Sequence, residues 1–375
     1  MHATVNDLAD PSDDRALLTV ENVATHFAIP SGLVRAVDGV SFTLHPGKTL
    51  GIVGESGSGK TVLARTIMRL NLGHNVHTSG KVHFSGRELL SLPMAEMADI
   101  WGQEMAMVFQ DPMTSLNPVV KIGRQLTEHV RKHHGASKIE ARDLALELLK
   151  SVRIPEAKAR VEAYPHELSG GMRQRVSIAI ALACNPKLLF ADEPTTALDV
   201  TVQHQILNLL GMQQEERGMA MVLVTHDLGV VAGRTDEILV MYAGKIVEQA
   251  GTTAIFQQTS HPYTEALLRS IPKIDLPSHT RLAAIAGRPP DLIAPPDGCS
   301  FSPRCPYAQE RCFEEEPLLD ASGGDHAFAC WYPVGTPENK AAWEKNLSEG
   351  RLSTLAVAKG QIVDEVPVNL ASGAG

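Results

Sequence analysis

"GESGSGKT", residues 54–61, decides how the rest of the chain is read. It fits the spacing G-x-x-x-x-G-K-[ST] of a phosphate-binding loop. Gly54, Gly57 and Gly59 let the backbone wrap closely, so the N–H groups across Glu55, Ser56 and Ser58 can turn inward toward phosphate oxygens. Lys60 supplies a point charge for the β- and γ-phosphates, and the Thr61 hydroxyl can ligate Mg²⁺. The buried run "TLGIV" before the loop reads as a strand. The run "KTVLARTIMRLN" after it reads as a helix whose positive end points at the phosphates. Strand, loop and helix in this order open an α/β domain with a parallel sheet.

A second half of the site lies far along the chain. "LLFADE" reads as a buried strand ending in Asp192, a candidate for holding Mg²⁺. Glu193 follows at the strand end, placed to polarise an attacking water. Between the two halves, residues 111–170 turn mostly helical. Ser137 and Glu140 form a capping-box pattern. Ala141, Leu144, Leu148 and Val152 then recur on one helical face. Strand patterns return at "KLLFADE" and "MAMVLVTHD", and "EILVMYAGKIVEQA" reads as a closing hairpin.

The chain has 375 residues, 43% hydrophobic and 21% charged, which suits a globular core. The N-terminal run lacks the basic-then-apolar pattern of a signal peptide, and no apolar run is long enough to span a membrane. With a formal charge of −9 and no dense Lys/Arg run, a nucleic-acid partner is not expected. "RQLTEHVRKHHG", the most basic patch, reads as a solvated helix face.

Four of the five cysteines fall late: Cys299, Cys305, Cys312 and Cys330. In a chain without a secretion signal, clustered thiols read as metal ligands rather than disulfides. Cys184 sits in an apolar helix pattern and reads as a packing residue. His326, near Cys330, reads as a surface or supporting histidine.

With these residues in hand, the chain from about residue 17 to 256 resembles the ATP-binding cassette (ABC) ATPases. "LSGGMRQR", residues 168–175, is similar to that family's signature motif, and "FADEPTTALD" to its Walker B and D-loop run. The resemblance implies a P-loop NTPase fold: a RecA-like α/β core, an antiparallel β subdomain and a helical insertion. It implies that Gln110 contacts Mg²⁺ or the water and senses a transport partner. Glu193 becomes the catalytic base, His226 the contact to the γ-phosphate, and Phe27 the ring against adenine, with core packing the alternative for Phe27. Ser169, Gly170 and Gly171 would close over ATP bound to a second cassette, and Asp199 would tune the two sites. A nucleotide-sandwich dimer follows, with a second copy or a related chain.

Only 108 residues separate Lys60 from Ser169, which leaves no room for a long coiled-coil insertion. "HPYTEALLRSIP", "RLAAIAGRPPDL" and "GCSFSPRCPYAQERC" resemble the extension of bacterial oligopeptide and dipeptide importer ATPases, over about residues 257–333. That resemblance implies a small C-terminal metal-binding extension, residues 257–335, in which the four cysteines ligate a [4Fe–4S] cluster. Their spacing of five, six and seventeen residues lacks the paired C-x-x-C of common zinc sites. A zinc ion, or no metal, are the alternatives. It also implies two membrane permease subunits, an extracytoplasmic solute-binding protein acting indirectly, and a peripheral place on the cytoplasmic face of the inner membrane. Another cargo (a nickel chelate, an oligosaccharide) and a soluble ATPase of iron–sulfur assembly are the rival functions. Residues 1–16 and 336–375 are expected to be flexible.

Overall fold

The computed structural model describes residues 15–196, 198–271, 285–320 and 324–350. Two sheets organise them. The smaller is antiparallel and is built from β1 (Leu18–Ile29), β2 (Gly32–Leu44), β4 (Val76–Phe84) and β5 (Arg87–Glu88), in the order β2-β1-β4-β5. The larger has seven strands in the order β11-β10-β9-β3-β8-β7-β6. They are β3 (Thr49–Val53), β6 (Met105–Val108), β7 (Leu188–Asp192), β8 (Ala220–Thr225), β9 (Glu237–Tyr242), β10 (Lys245–Gly251) and β11 (Ala327–Phe328). β9, β3, β8, β7 and β6 run parallel, and β10 and β11 add antiparallel edges.

The parallel strands are apolar throughout because both of their faces are covered. Every residue of β3, β7 and β8 is buried. Alternation along each strand sends side chains to opposite cores. Leu50, Ile52, Phe190 and Val222 join one core with Phe42, Phe84 and Leu63 of the antiparallel sheet and the helix Lys60–Ile67. Val53, Leu189, Ala191 and Leu223 face the other core, with the helical segment.

That segment contains the helices Ile122–His134, Lys138–Ser151 and Gly170–Ala181. Its capping box is present: Glu140 N–H donates to Ser137 Oγ, and Ser137 N–H donates to Glu140 Oε2 at 2.9 Å. Ala141, Ala145, Leu148 and Leu149 are buried against Leu126 and Val130.

The C-terminal extension is not a separate lobe. β11 pairs with β10, and Ala329 N–H donates to Val247 O at 2.9 Å, so the extension completes an edge of the main sheet. Phe301 from the same region is 1% exposed and belongs to the main core. The expectation of a flexible stretch from residue 336 is corrected in part, because Pro337–Ser348 is a helix capped by Thr336, whose hydroxyl accepts from Asn339 N–H. Asn346 on it is buried and bonds Gln309, Pro306 and Ala308. A Thr-Pro start and a buried polar face hold a helix that composition alone reads as a tail. The rest of that expectation, from residue 351, and residues 1–14 lie outside the described residues. No helix among the described residues is long and apolar enough to cross a membrane.

Candidate functional site: a phosphate cleft and a cysteine cavity

The phosphate loop leaves β3 at Val53 and enters the helix at Lys60. Two of its glycines are required by close approach. A Cβ on Gly54 would lie 2.2 Å from Met241 O, and one on Gly59, at φ 103°, would lie 2.2 Å from Ala36 O. Lys60 is buried, and its Nζ donates to Gly54 O at 2.7 Å and Glu55 O at 2.9 Å. Burial lowers the pKa of the Lys60 ammonium, while the carboxylates of Glu193, Asp192 and Glu55 oppose that shift.

Thr61 lies across from the end of β7, and its hydroxyl donates to Asp192 Oδ1 at 2.9 Å. Asp192 is fully buried, and its second oxygen, Oδ2, has no hydrogen-bond partner. Burial pushes its pKa up, although the Thr61 hydroxyl and the Arg65 charge pull it back. A buried carboxylate oxygen left unpartnered beside a hydroxyl suits a hard divalent cation with oxygen ligands.

Glu193 follows with a backbone φ of 43°, a left-handed conformation that costs a non-glycine residue roughly 1–2 kcal/mol. Three side chains hold its carboxylate. Gln110 Nε2 donates to Oε2 at 2.9 Å, Thr196 Oγ1 donates to the same oxygen at 2.8 Å, and His226 Nδ1 lies 3.2 Å from Oε1. Gln110, Glu193 and His226 come from just beyond β6, β7 and β8, so adjacent parallel strand ends bring the three together.

These residues line one cleft of ≈ 990 Å³ with Glu55, Ser56, Gly57, Gly59, Lys60 and Thr61. Phe27 and Val34, paired across β1 and β2, line its far end. Leu267, Ile285, Pro289 and Leu292 of the C-terminal extension form an apolar wall of the same cleft. Arg35 N–H donates to Leu292 O at 3.0 Å, which joins the extension to β2 beside Val34. Sequence reasoning missed this apolar wall and Thr196. The wall's residues lie in the stretches "HPYTEALLRSIP" and "RLAAIAGRPPDL", but only chain packing brings them to the cleft.

Ser169, Gly170, Gly171 and Asp199 do not line the cleft. Ser169 caps the helix Gly170–Ala181, and its Oγ accepts from Met172 N–H. Asp199 caps the helix Val200–Arg217, accepting from Val202 N–H at 3.0 Å. Ser169, Gly170 and Asp199 are exposed. A Cβ on Gly171 would meet Val202 Cγ1 at 2.8 Å, so glycine permits the two helix starts to pack side by side.

Cys299, Cys305, Cys312 and Cys330 line one cavity together with buried His261. Cys299 N–H donates to Cys312 O at 2.8 Å, which ties two of the segments. All four thiols are free. Burial pushes Cys299 up to about 11 and Cys330 up to about 12, and it raises Cys305 and Cys312 as well. Among the described residues, no group of three or more His, Cys, Asp or Glu is gathered closely enough to hold a metal ion. The expectation of a ready-made metal centre is therefore not met. A single zinc ion needs its sulfurs at about 2.3 Å, hence within ~4 Å of one another. A four-iron cluster takes each thiolate on a different iron and accepts a wider set. His326 is not at this cavity; its Nε2 lies 2.8 Å from Oε1 of buried Glu248. Cys184 is buried in the core, and burial raises its thiol pKa.

The family described as "ABC transporter" matches residues 37–196, and the "Oligopeptide/dipeptide transporter, C-terminal region" matches residues 247–312. The chain is 48% identical to the oligopeptide transport ATP-binding protein OppD of Salmonella typhimurium, over 86% of this chain and 96% of that protein. It is 49% identical to OppD of Escherichia coli, over 85% of this chain and 94% of that protein. Among solved structures, the ATP-binding cassette MJ0796, a dimer in a post-hydrolysis state bound to ADP and Pi, superposes with a TM-score of 0.57 at 29% identity, covering 63% of this chain and 98% of that one. The phosphate loop, the Asp192–Glu193 strand end and the cysteine-bearing extension occur in one chain alongside these likenesses, and the chain belongs to the ATP-binding subunits, ATPases of the ABC transporter family, that carry the oligopeptide/dipeptide transporter C-terminal region.

Proposed function

We propose that this chain hydrolyses ATP to drive uptake of dipeptides or oligopeptides through membrane permease subunits. The observation that carries the reading is the convergence of Thr61, Gln110, Glu193 and His226 on one cleft with Lys60, with Asp192 buried directly behind Thr61. Lys60 leaves its carbonyl partners to bind phosphate, and the loop amides orient the chain of phosphates. Thr61 and Asp192 are the residues that would hold Mg²⁺, which would supply positive charge to the β- and γ-phosphates. Glu193 accepts a proton from the attacking water, and Gln110 and His226 fix its carboxylate for that task. Phe27 stacks on the base.

Ser169, Gly170 and Gly171 complete the site of a second cassette, with Asp199 at the same junction. The exposure of Ser169, Gly170 and Asp199 at the starts of two helices supports this, because N–H groups at a helix start attract phosphate. The partner cassette is a second copy or a related chain. Two permease subunits anchor the pair peripherally at the cytoplasmic face of the cell membrane, and an extracytoplasmic binding protein delivers cargo to them. The four thiols of the cysteine cavity hold a [4Fe–4S] cluster that staples the extension. The enclosure of all four by one cavity supports this part of the reading.

Uptake of a labelled tripeptide by cells lacking this chain, complemented with wild type or Glu193→Gln, tests the function. Uptake restored by the wild type alone supports it. Peptide uptake unaffected by loss of the chain would sink the cargo assignment and return nickel chelates, oligosaccharides or iron–sulfur assembly as the functions to try.

A further inference from the structure

The phosphate-loop pattern leaves its second position open, yet Glu55 is the most heavily held residue of the loop. Its carboxylate takes a bidentate pair from Arg304: Nη1 donates to Oε2 at 2.6 Å and Nη2 to Oε1 at 3.0 Å. Its backbone N–H donates to Tyr263 Oη at 2.7 Å. Both partners come from the C-terminal extension, 249 and 208 residues away.

Arg304 is built into its place. Its side chain is 3% exposed. Nε donates to Ala286 O at 2.8 Å, Nη1 also donates to Tyr242 Oη at 3.2 Å, and Nη2 to Ile285 O at 3.3 Å. Five bonds match the five N–H donors of a guanidinium, so the fork has one orientation. It lies 5.8 Å from the Tyr242 ring centre and 6.0 Å from that of Phe301. Tyr242, Tyr263 and Phe301 pack mutually, with centroids 4.6 to 5.4 Å apart.

Two physical consequences follow. A carboxylate beside a triphosphate repels it, and a buried guanidinium bound bidentately cancels that charge. The carbonyls of Gly54 and Glu55 also seat Lys60, so whatever fixes Glu55 fixes the ammonium that meets the phosphates. Arg304 closes a short turn, Ser302–Arg304, that lies between Cys299 and Cys305. The turn that carries the guanidinium is thus continuous with the chain lining the cysteine cavity.

We propose that Arg304 and Tyr263 are positioning residues for ATP binding: the cysteine-bearing extension clamps Glu55, neutralises it and holds the first turn of the phosphate loop. The proposal rests on the reading of residues 54–61 as the ATP site, and it adds that ATP affinity depends on a region outside the ATPase core.

The test is equilibrium binding of ATP to the full chain, with melting curves and steady-state hydrolysis, for wild type, Arg304→Gln, Glu55→Gln and the double variant. Arg304→Gln is expected to raise the Kd and KM for ATP about tenfold or more, with a smaller change in kcat, because it leaves a charge unpaired. The double variant is expected to regain most of that affinity, because the repelling carboxylate is gone. An Arg304→Gln chain that melts normally and binds ATP as the wild type does would overturn the proposal. So would a double variant that binds no better than Arg304→Gln, since simple loss of packing is not rescued at Glu55. Should Arg304→Gln fail to fold, Tyr263→Phe removes one hydroxyl from the Glu55 N–H. Several-fold weaker ATP binding then supports the clamp, and unchanged binding overturns it. Wild-type chain without ATP affinity would overturn the ATP reading itself, and the clamp with it.

Discussion

Gln110 Nε2 donates to Glu193 Oε2 at 2.9 Å, joining the residue just before the helical segment to the carboxylate that follows β7. A movement of the helical segment therefore reaches Glu193 through one hydrogen bond. Replacing Glu193 by Gln removes the proton acceptor but keeps the shape. Hydrolysis is expected to fall by about 10²- to 10⁴-fold, with ATP affinity preserved. Phosphate release measured beside ATP binding checks this, and unchanged turnover would remove Glu193 from the role of base.

Asp192 is held at a cost to the metal-free protein. Its pKa in the fold is raised, chiefly by burial. For a raised pKa the stabilising contribution is complete below the unfolded value, and it is lost as pH rises through the folded one. Above the folded value the ionised, half-partnered carboxylate burdens the fold. Asp192→Asn is expected to raise the melting temperature in EDTA by a few degrees and to remove the added stabilisation by Mg²⁺ with ATP. A variant melting lower than wild type in EDTA would contradict this account.

Phe27 lines the cleft from β1, together with Leu267, Pro289 and Leu292 of the extension. Stacking of a base on an aromatic ring is worth about 1–3 kcal/mol. Phe27→Ala should weaken ATP binding accordingly and leave inorganic triphosphate binding unchanged. Equal losses for both ligands would show that the ring supports the loop and does not meet the base.

The cysteine cavity has a direct chemical test. Protein purified without oxygen is expected to carry about four irons and four acid-labile sulfides per chain, falling in Cys305→Ser. One zinc without sulfide would convert the site to a plain structural ion.

The C-terminal helix is pinned through Asn346, whose Oδ1 accepts from Gln309 Nε2 at 2.9 Å and whose Nδ2 donates to Pro306 O at 2.9 Å. Asn346→Ala strands these buried groups and should cost about 1–3 kcal/mol. Chemical denaturation reads the loss. An unchanged midpoint would mean that the helix contributes nothing to the fold.

The phosphate loop, the acidic strand end and the alternation of strands and helices were legible in the sequence because they obey local rules. Glycines must stand where the backbone crowds Met241 and Ala36, and a strand covered on both faces must be apolar, as "TLGIV" and "LLFAD" are. The capping box at Ser137 and Glu140 is likewise local, closed within four residues. The helix at Pro337–Ser348 was not legible, since its stability comes from buried Asn346 and Ala342 meeting residues over 30 positions away.

The sequence by itself determined the chemistry on offer: a loop for phosphate, two adjacent carboxylates, four late thiols. Only the tertiary structure decided that Glu193 is gripped by Gln110, Thr196 and His226, that Asp192 keeps one oxygen unpartnered, and that Arg304 lies buried on Glu55. The reason is physical. Spacing along the chain governs backbone conformation over a few residues, whereas a hydrogen bond between positions 55 and 304 exists only where two folded surfaces meet.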